Sequence, residues 1–275
     1  MHFKIPIDDF NLEATLDSGQ VFGFAKHEDG VYEGILAGHP IRLHQLGKCL
    51  DVESDVQNRM DRLIRDYFDL ERDLMPVYQH LGSDERLIHV LKQFKGLRLI
   101  HQSPWEALAC FIISSNNNIK RIQGIWKRLT QHFDPHKKTF PKPQNISEAG
   151  EEVLRHLGLG YRAPFLHRAA QFVFLNPKEV GQIQNAPYPE AKERLMELPG
   201  VGPKVADCIL LYGFQKYEAF PVDVWVLRVM RKLYFRNRTV NERKVTEFGQ
   251  KRWGAWAGYI QQYLFHGART GCLVL

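Results

Sequence analysis

The sequence predicts an α+β protein in which a β-rich N-terminal part precedes a helical body. Short apolar segments alternate with turn chemistry over the first fifty residues. From about Asp84 the hydrophobic period is helical almost to the end. Across 275 residues, 44% are hydrophobic and 25% charged, enough for a sizeable buried core. That composition excludes a disordered tail, a collagen and a coiled coil. We place the boundary near residue 80, giving a β-rich domain over 1–80 and a helical body over 81–275.

In chain order, strands are expected over 21–25, 31–37 and 40–43, separated by the turn clusters 27–30 and 38–40. Ser54 with Gln57 resembles a capping box. It would open a helix carrying Val56, Met60, Leu63, Ile64, Tyr67 and Phe68 on one face. Leu87, Val90, Leu91 and Phe94 share the next helical face. Residues 105–113 are apolar nearly all round and predict a central buried helix. Ile119, Ile122, Ile125, Trp126 and Leu129 follow a 3.6-residue period. Residues 132–143, rich in Pro and Lys, predict a surface loop. Its His132 and His136 cannot share a helix across Pro135, so they read as solvated side chains. Further helices are expected near 148–157, 164–175, 189–198, 203–212, 224–235 and 253–265. No internal repeat and no long linker is evident.

The 37 Lys and Arg exceed the 31 Asp and Glu, giving a formal charge of +6. This suits a polyanionic partner and also an ordinary enzyme. Cys49, Cys110, Cys208 and Cys272 form no C-x-x-C pair, so neither a disulfide framework nor a zinc or iron–sulfur site is expected. The first residues lack the basic and apolar regions of a secretion signal, and the longest apolar run is 107–113. A soluble intracellular protein with no membrane partner is expected.

The stretch Leu198-Pro199-Gly200-Val201-Gly202-Pro203-Lys204-Val205-Ala206 carries the most information. One amphipathic helix stops at Pro199-Gly200, and another begins at Pro203, where a proline suits the first helical position. Glycines allow a tight turn and close approach of a ligand, and the free N–H groups of the new helix make an anion socket suited to phosphate. Lys204 just inside the second helix reads either as a phosphate contact or as a nucleophile. A lysine amine attacks carbon only when neutral, so a nucleophile needs desolvation or nearby cations. Nineteen residues on, within Pro221-Val222-Asp223-Val224-Trp225, Asp223 sits at a good N-cap position.

This arrangement resembles the helix-hairpin-helix, Gly/Pro-Asp superfamily of base-excision DNA glycosylases, with the hairpin at about 190–212. Further segments resemble the 8-oxoguanine DNA glycosylase/AP lyase family of the eukaryotic-type lineage. They are Asp17-Ser18-Gly19-Gln20-Val21-Phe22, the run from Ser114 to Ile122, Leu157-Gly158-Leu159-Gly160-Tyr161-Arg162-Ala163, the run from Val201 to Cys208, and that from Gln261 to Phe265. They occur in family order across nearly the whole chain. Endonuclease III-like branches carry a four-cysteine iron–sulfur loop, which Cys272 alone cannot build.

The resemblance implies a TATA-binding-protein-like N-terminal domain and a helical glycosylase body. It implies excision of 8-oxoguanine from duplex DNA, preferably opposite cytosine, with lyase activity by β-elimination. Lys204 is the implied nucleophile and Schiff-base lysine, and Asp223 its carboxylate. Gly19, Cys208, Gln261 and Phe265 are implied around the flipped lesion base. Asn116, Arg121 and Arg162 would hold the opposite cytosine, with Tyr161 as a wedge. Gly200, Gly202 and Trp225 are implied at DNA phosphates. Vertebrate members have histidine and aspartate where this chain has Trp225 and Ala268, so the histidine-to-carboxylate link is absent here.

No cofactor and no metal is expected. The expected partner is double-stranded DNA containing oxidised guanine, bound by a monomer. Two other readings stay open at this point: an alkylpurine DNA glycosylase, which would not need Lys204, and a non-enzymatic helix-hairpin-helix DNA-binding module.

Overall fold

The computed structural model describes residues 1–57, 59–136 and 139–273. The N-terminal part is a five-stranded antiparallel sheet of β1 (His2–Pro6), β2 (Ala25–Lys26), β3 (Tyr32–Leu36), β4 (His39–Leu46) and β5 (Cys49–Ser54), in the order β1-β5-β4-β3-β2. Ile5 pairs with Leu50, Leu43 with Val52 and Gly34 with Ile41. Alternation along the strands puts Ile5, Tyr32, Leu36, Ile41, Leu43, Leu50 and Val52 into one core. α1 (Leu12–Leu16) and α2 (Met60–Tyr67) cover that core, through Leu12 and Leu16 and through Met60 and Ile64.

Two local expectations fail here. Residues 21–25 do not form a strand; only Ala25 joins the sheet. Val21 packs into the sheet core and Phe22 into the helical core, so alternation here records a segment shared between two cores. Nor is Ser54 a helix cap: it ends β5 and donates from Oγ to the Pro40 carbonyl at 3.1 Å. α2 begins at Met60, with no side-chain cap.

The helical body comprises α3 (Met75–Gly82), α4 (Ile88–Phe94), α5 (Pro104–Ser114), α6 (Ile119–Phe133), α7 (Pro143–Leu154), α8 (Ala163–Leu175), α9 (Pro177–Asn185), α10 (Tyr188–Met196), α11 (Pro203–Gly213), α12 (Val224–Tyr234), α13 (Glu242–Trp253) and α14 (Ala257–Thr270). Pro104, Pro143, Pro177 and Pro203 each take the first helical position, where no N–H is required. As predicted, α5 is the central helix, with every residue from Ala107 to Ile113 buried. It packs tightly against α11: a Cβ on Gly213 would lie 2.8 Å from the Ala107 Cβ. α6 runs to Phe133, two residues into the expected loop; Lys137 and Lys138 of that loop lie outside the described residues. The sequence pattern does not anticipate α9 and α13. Among the described residues, no helix is long and apolar enough to cross a membrane.

Buried polar side chains join the two parts. Arg98 is 2% exposed and donates to the carbonyls of Asp9, Asp69 and Arg72. Gln20 donates to the Thr15 and Arg98 carbonyls and accepts from the Ile100 N–H at 2.8 Å.

Candidate active site

The hairpin forms where the glycines predict it. α10 and α11 close on Leu195, Leu198, Val201, Val205 and Ala206, all buried. Gly200 has φ +86°, and a Cβ there would lie 2.6 Å from the Phe165 ring, so a side chain fits neither the backbone nor the space. Gly202 is exposed with open space around it, and α11 starts behind it without a side-chain cap. The amide groups of the first turn of α11 are thus free of any capping side chain.

Lys204 is half-buried one residue into α11. No carboxylate among the described residues lies in ion-pair range of its amine, which sits 5.7 Å from the Phe111 ring centroid. Phe111 stacks on Tyr212 with centroids 5.2 Å apart. Cys208, one turn along, is buried; burial pushes its thiol up to about 11, against an opposing hydrogen bond and charge from Lys204. Asp223 caps α12 as predicted, accepting from the N–H groups of Trp225 at 3.0 Å and Val226 at 2.8 Å. Burial raises its carboxyl, offset by those N–H donors and by the positive charge of Lys204. The structure thus brings Lys204, Cys208 and Asp223 into mutual electrostatic reach.

Gly19 has φ +79°. A Cβ there would stand 2.9 Å from Ile119 Cδ1 and 3.3 Å from Phe265 Cε1. Phe265 is half-buried, and a cavity of about 740 Å³ opens beside Gly19, Ile119, Lys120 and Arg269. Gln261, one turn before Phe265 on α14, is 4% exposed, and its Oε1 has no hydrogen-bond partner among the described residues. A buried acceptor without a partner is costly, and a donor from a ligand would relieve the cost.

The predicted opposite-base residues divide by burial. Asn116 is exposed in a left-handed turn, φ +47°. Arg121 is exposed on the first turn of α6, which Asn118 caps by accepting from the Arg121 N–H at 3.0 Å. Arg162, in contrast, is 2% exposed and donates to the carbonyls of Ser115 and, at 2.8 Å, Asn116. Its role in this structure is to hold the Asn116 turn. Tyr161 is 49% exposed, on a short 3-10 turn after α7, with its hydroxyl on the Ser115 carbonyl at 3.2 Å. Its ring meets Phe165 edge-on, and Phe165 in turn packs on Gly200, linking the exposed ring to the hairpin. Trp225 is half-buried with the Arg228 guanidinium 5.9 Å from its ring, and Ala268 is buried.

Residues 2–108 match the 8-oxoguanine DNA glycosylase N-terminal domain family, and residues 109–255 match the HhH-GPD superfamily of base excision DNA repair proteins. The chain is 33% identical to the probable N-glycosylase/DNA lyase of Methanothermobacter thermautotrophicus, covering 98% of this chain and 97% of that protein. The chain belongs to the 8-oxoguanine DNA glycosylase family of the HhH-GPD superfamily. A second family relative, the N-glycosylase/DNA lyase of Saccharomyces cerevisiae, is 31% identical over 76% of this chain and 66% of its own length. A solved 8-oxoguanine glycosylase/lyase, from Clostridium acetobutylicum in complex with double-stranded DNA containing cytosine opposite 8-oxoG, superposes with a TM-score of 0.90 at 30% identity, covering 98% of each chain.

The sequence reading of this glycosylase missed the glutamines that frame Gly19. Gln262 donates to the Ser18 carbonyl at 3.0 Å and accepts from the Tyr212 hydroxyl. Gln102 donates to the Gln20 carbonyl, and Arg269 to the Asp17 carbonyl. The carbonyls on either side of Gly19 are therefore engaged by side chains from distant parts of the chain. The available signal is the side-by-side pair Gln261-Gln262 within the otherwise apolar run 257–265.

Proposed function

We propose that this chain excises 8-oxoguanine from duplex DNA and cleaves the strand at the resulting abasic site, with Lys204 as nucleophile and Asp223 as its electrostatic partner. The observation that carries the reading is the half-buried Lys204 amine, free of any carboxylate in ion-pair range among the described residues and in electrostatic reach of Cys208 and Asp223. A phosphate-contacting lysine needs neither partial burial nor a capping carboxylate opposite. A monofunctional alkylpurine glycosylase would not require the lysine.

A duplex hides the anomeric carbon, so the nucleotide must first leave the stack. Exposed Tyr161, at the hairpin end of the molecule, suits a wedge into the vacated step. Gly200, Gly202 and the open first turn of α11 suit phosphate, and Trp225, at the start of α12, is assigned a further phosphate contact. The flipped base would lie between Cys208 and Phe265. 8-Oxoguanine carries a proton at N7 where guanine has an acceptor, so a fixed Gly19 carbonyl attracts one and repels the other. Gln261, with its unpartnered Oε1, supplies a second polar contact.

Cleavage of the N-glycosidic bond develops positive charge on the sugar, and the Asp223 carboxylate stabilises it. The neutral Lys204 amine bonds to the anomeric carbon as the N-glycosidic bond breaks, the base departs with the bonding electrons and takes up one amine proton, and the C1′–O4′ bond then opens, with the second proton passing to O4′, to leave the imine. The imine acidifies the neighbouring carbon, whose proton is lost as the 3′ phosphate leaves. Asn116 and Arg121 are assigned to the opposite cytosine, which offers adjacent acceptors at O2 and N3, with Arg162 holding the Asn116 turn behind them. The working division falls near residue 80, with the sheet supporting Gly19 and the helical body supplying the remaining groups.

The test is incubation with a duplex carrying one 8-oxoguanine opposite cytosine. Release of free 8-oxoguanine together with strand scission is expected. Tight binding with neither product would favour a DNA-binding module, and base release without scission a monofunctional glycosylase.

A further inference from the structure

On α11, Asp207 follows Lys204 by three residues, so both side chains lie on one face about 5–6 Å apart at Cβ. Asp207 is 1% exposed and is the only carboxylate on this helix. It would be the natural ion-pair partner of Lys204, yet the two do not pair. Lys192 of α10 occupies it instead, with Nζ 2.8 Å from Oδ1 and 2.9 Å from Oδ2. The Tyr188 hydroxyl donates to Oδ1 at 2.6 Å, and Lys192 Nζ lies 3.1 Å from the Tyr188 oxygen. Both carboxylate oxygens are thus engaged from α10.

We propose that Lys192 is a positioning residue of the reaction: by occupying both carboxylate oxygens of Asp207, it denies Lys204 an intrahelical ion pair and leaves the amine free to lose its proton in the cleft. The inference rests on the reading of Lys204 as nucleophile. An amine paired to a buried carboxylate holds its proton and is tethered by it. A second, half-buried cation nearby acts in the opposite sense, because two ammonium groups repel. Lys192 thus offsets the Asp207 charge and occupies the oxygens that Lys204 would otherwise pair with.

The surrounding charges do not substitute for it. Asp223, at the start of α12, is engaged by two backbone N–H groups. Cys208 is a buried thiol whose titration is pushed upward by burial. Glu193 of α10 and Glu242, Arg243 and Glu247 of α13 line a cavity of about 850 Å³ shared with Lys204 and Asp207, but all four are exposed to solvent, and Arg243 pairs with Glu247 at 2.9 Å. Their fields at Lys204 are screened by water.

The experiment is single-turnover excision from an 8-oxoguanine duplex between pH 6 and 10, using the full chain. Lys192→Met should move the rising limb to higher pH, with the rate at neutral pH falling about tenfold when the limb moves by about one pH unit. Its rate should rejoin wild type above the limb. Lys192→Arg should restore the wild-type profile. A Lys192→Met profile that superimposes on wild type, or falls by one factor at every pH, overturns the proposal. Should that variant fail to fold, Asp207→Asn decides: stripped of the anion but keeping Lys192, it should move the limb to lower pH, and an unmoved limb overturns the proposal. Borohydride trapping separates the two levels. If Lys204→Gln still traps, the nucleophile reading itself falls. If only wild type traps and the limbs do not move, the role of Lys192 alone falls.

Discussion

The Ser18 carbonyl accepts a hydrogen bond from Gln262 Nε2 at 3.0 Å, across 244 positions of chain. It fixes the peptide that enters Gly19 to α14, the helix that also carries Gln261 and Phe265. Gln262 is itself held through its Oε1 by the Tyr212 hydroxyl, and Tyr212 stacks on Phe111, over which Lys204 lies. The proposed lesion reader and the proposed nucleophile are therefore linked by one buried chain of contacts. Buried and fully bonded networks of this kind hold their members in a single geometry.

Gly19→Ala tests that geometry. A Cβ would meet Ile119 at 2.9 Å and Phe265 at 3.3 Å, on a backbone at φ +79°. We expect a loss of roughly 1–3 kcal/mol in folding stability, read by urea unfolding. Selectivity for 8-oxoguanine over guanine in duplex binding should also fall, by about tenfold or more. An alanine variant that retains wild-type selectivity would show that the Gly19 carbonyl does not read the lesion.

Arg121 and Arg162 should part company on mutation. Arg162 is buried and bonded to two carbonyls, so Arg162→Ala should cost about 2–4 kcal/mol of stability and disturb the Asn116 turn. Arg121 is exposed, so Arg121→Ala should leave the thermal midpoint within about a degree or two. The same variant should lose the preference for cytosine opposite the lesion. The measurement is single-turnover excision opposite each of the four bases. A uniform loss opposite all four would identify Arg121 as a phosphate contact.

His266 makes stability pH-dependent. It is 4% exposed beside Phe94, and burial, with Arg269 nearby, lowers its pKa to about 4. Between that value and the ordinary 6.5, the unfolded chain binds a proton that the folded one rejects. Stability therefore falls as pH drops through this window, by roughly 2 kcal/mol at pH 5. Urea midpoints at pH 7 and pH 5 should show this drop in wild type and a smaller one in His266→Leu. Equal drops in both proteins would assign the dependence to other groups.

Where one element buries one apolar stripe, the sequence predicts the structure well. α5, α6, the hairpin glycines and the Asp223 cap all follow from local rules. α13 escaped because it buries little beyond Val245, Gly249 and Trp253 among many charges, although Asn241 offers a cap signal. α9 buries only Ile183. Residues 21–25 misled because alternation toward two different cores mimics a strand. The capping reading of Ser54 failed because the same hydroxyl bonds across the sheet to Pro40. In the site, residue identity came from motif likeness, while the supporting bonds of Gln20, Gln262, Arg162 and Lys192 depend on contacts between distant segments, which no local pattern encodes.

The most direct test of the mechanism is covalent trapping at Lys204. Wild type incubated with an 8-oxoguanine duplex and borohydride should form a stable protein–DNA adduct, because reduction fixes the imine. Lys204→Gln keeps the side-chain length without the amine, and should bind the lesion duplex while forming no adduct and releasing no base. An adduct formed by Lys204→Gln at the wild-type rate would contradict the assignment of Lys204 as the nucleophile.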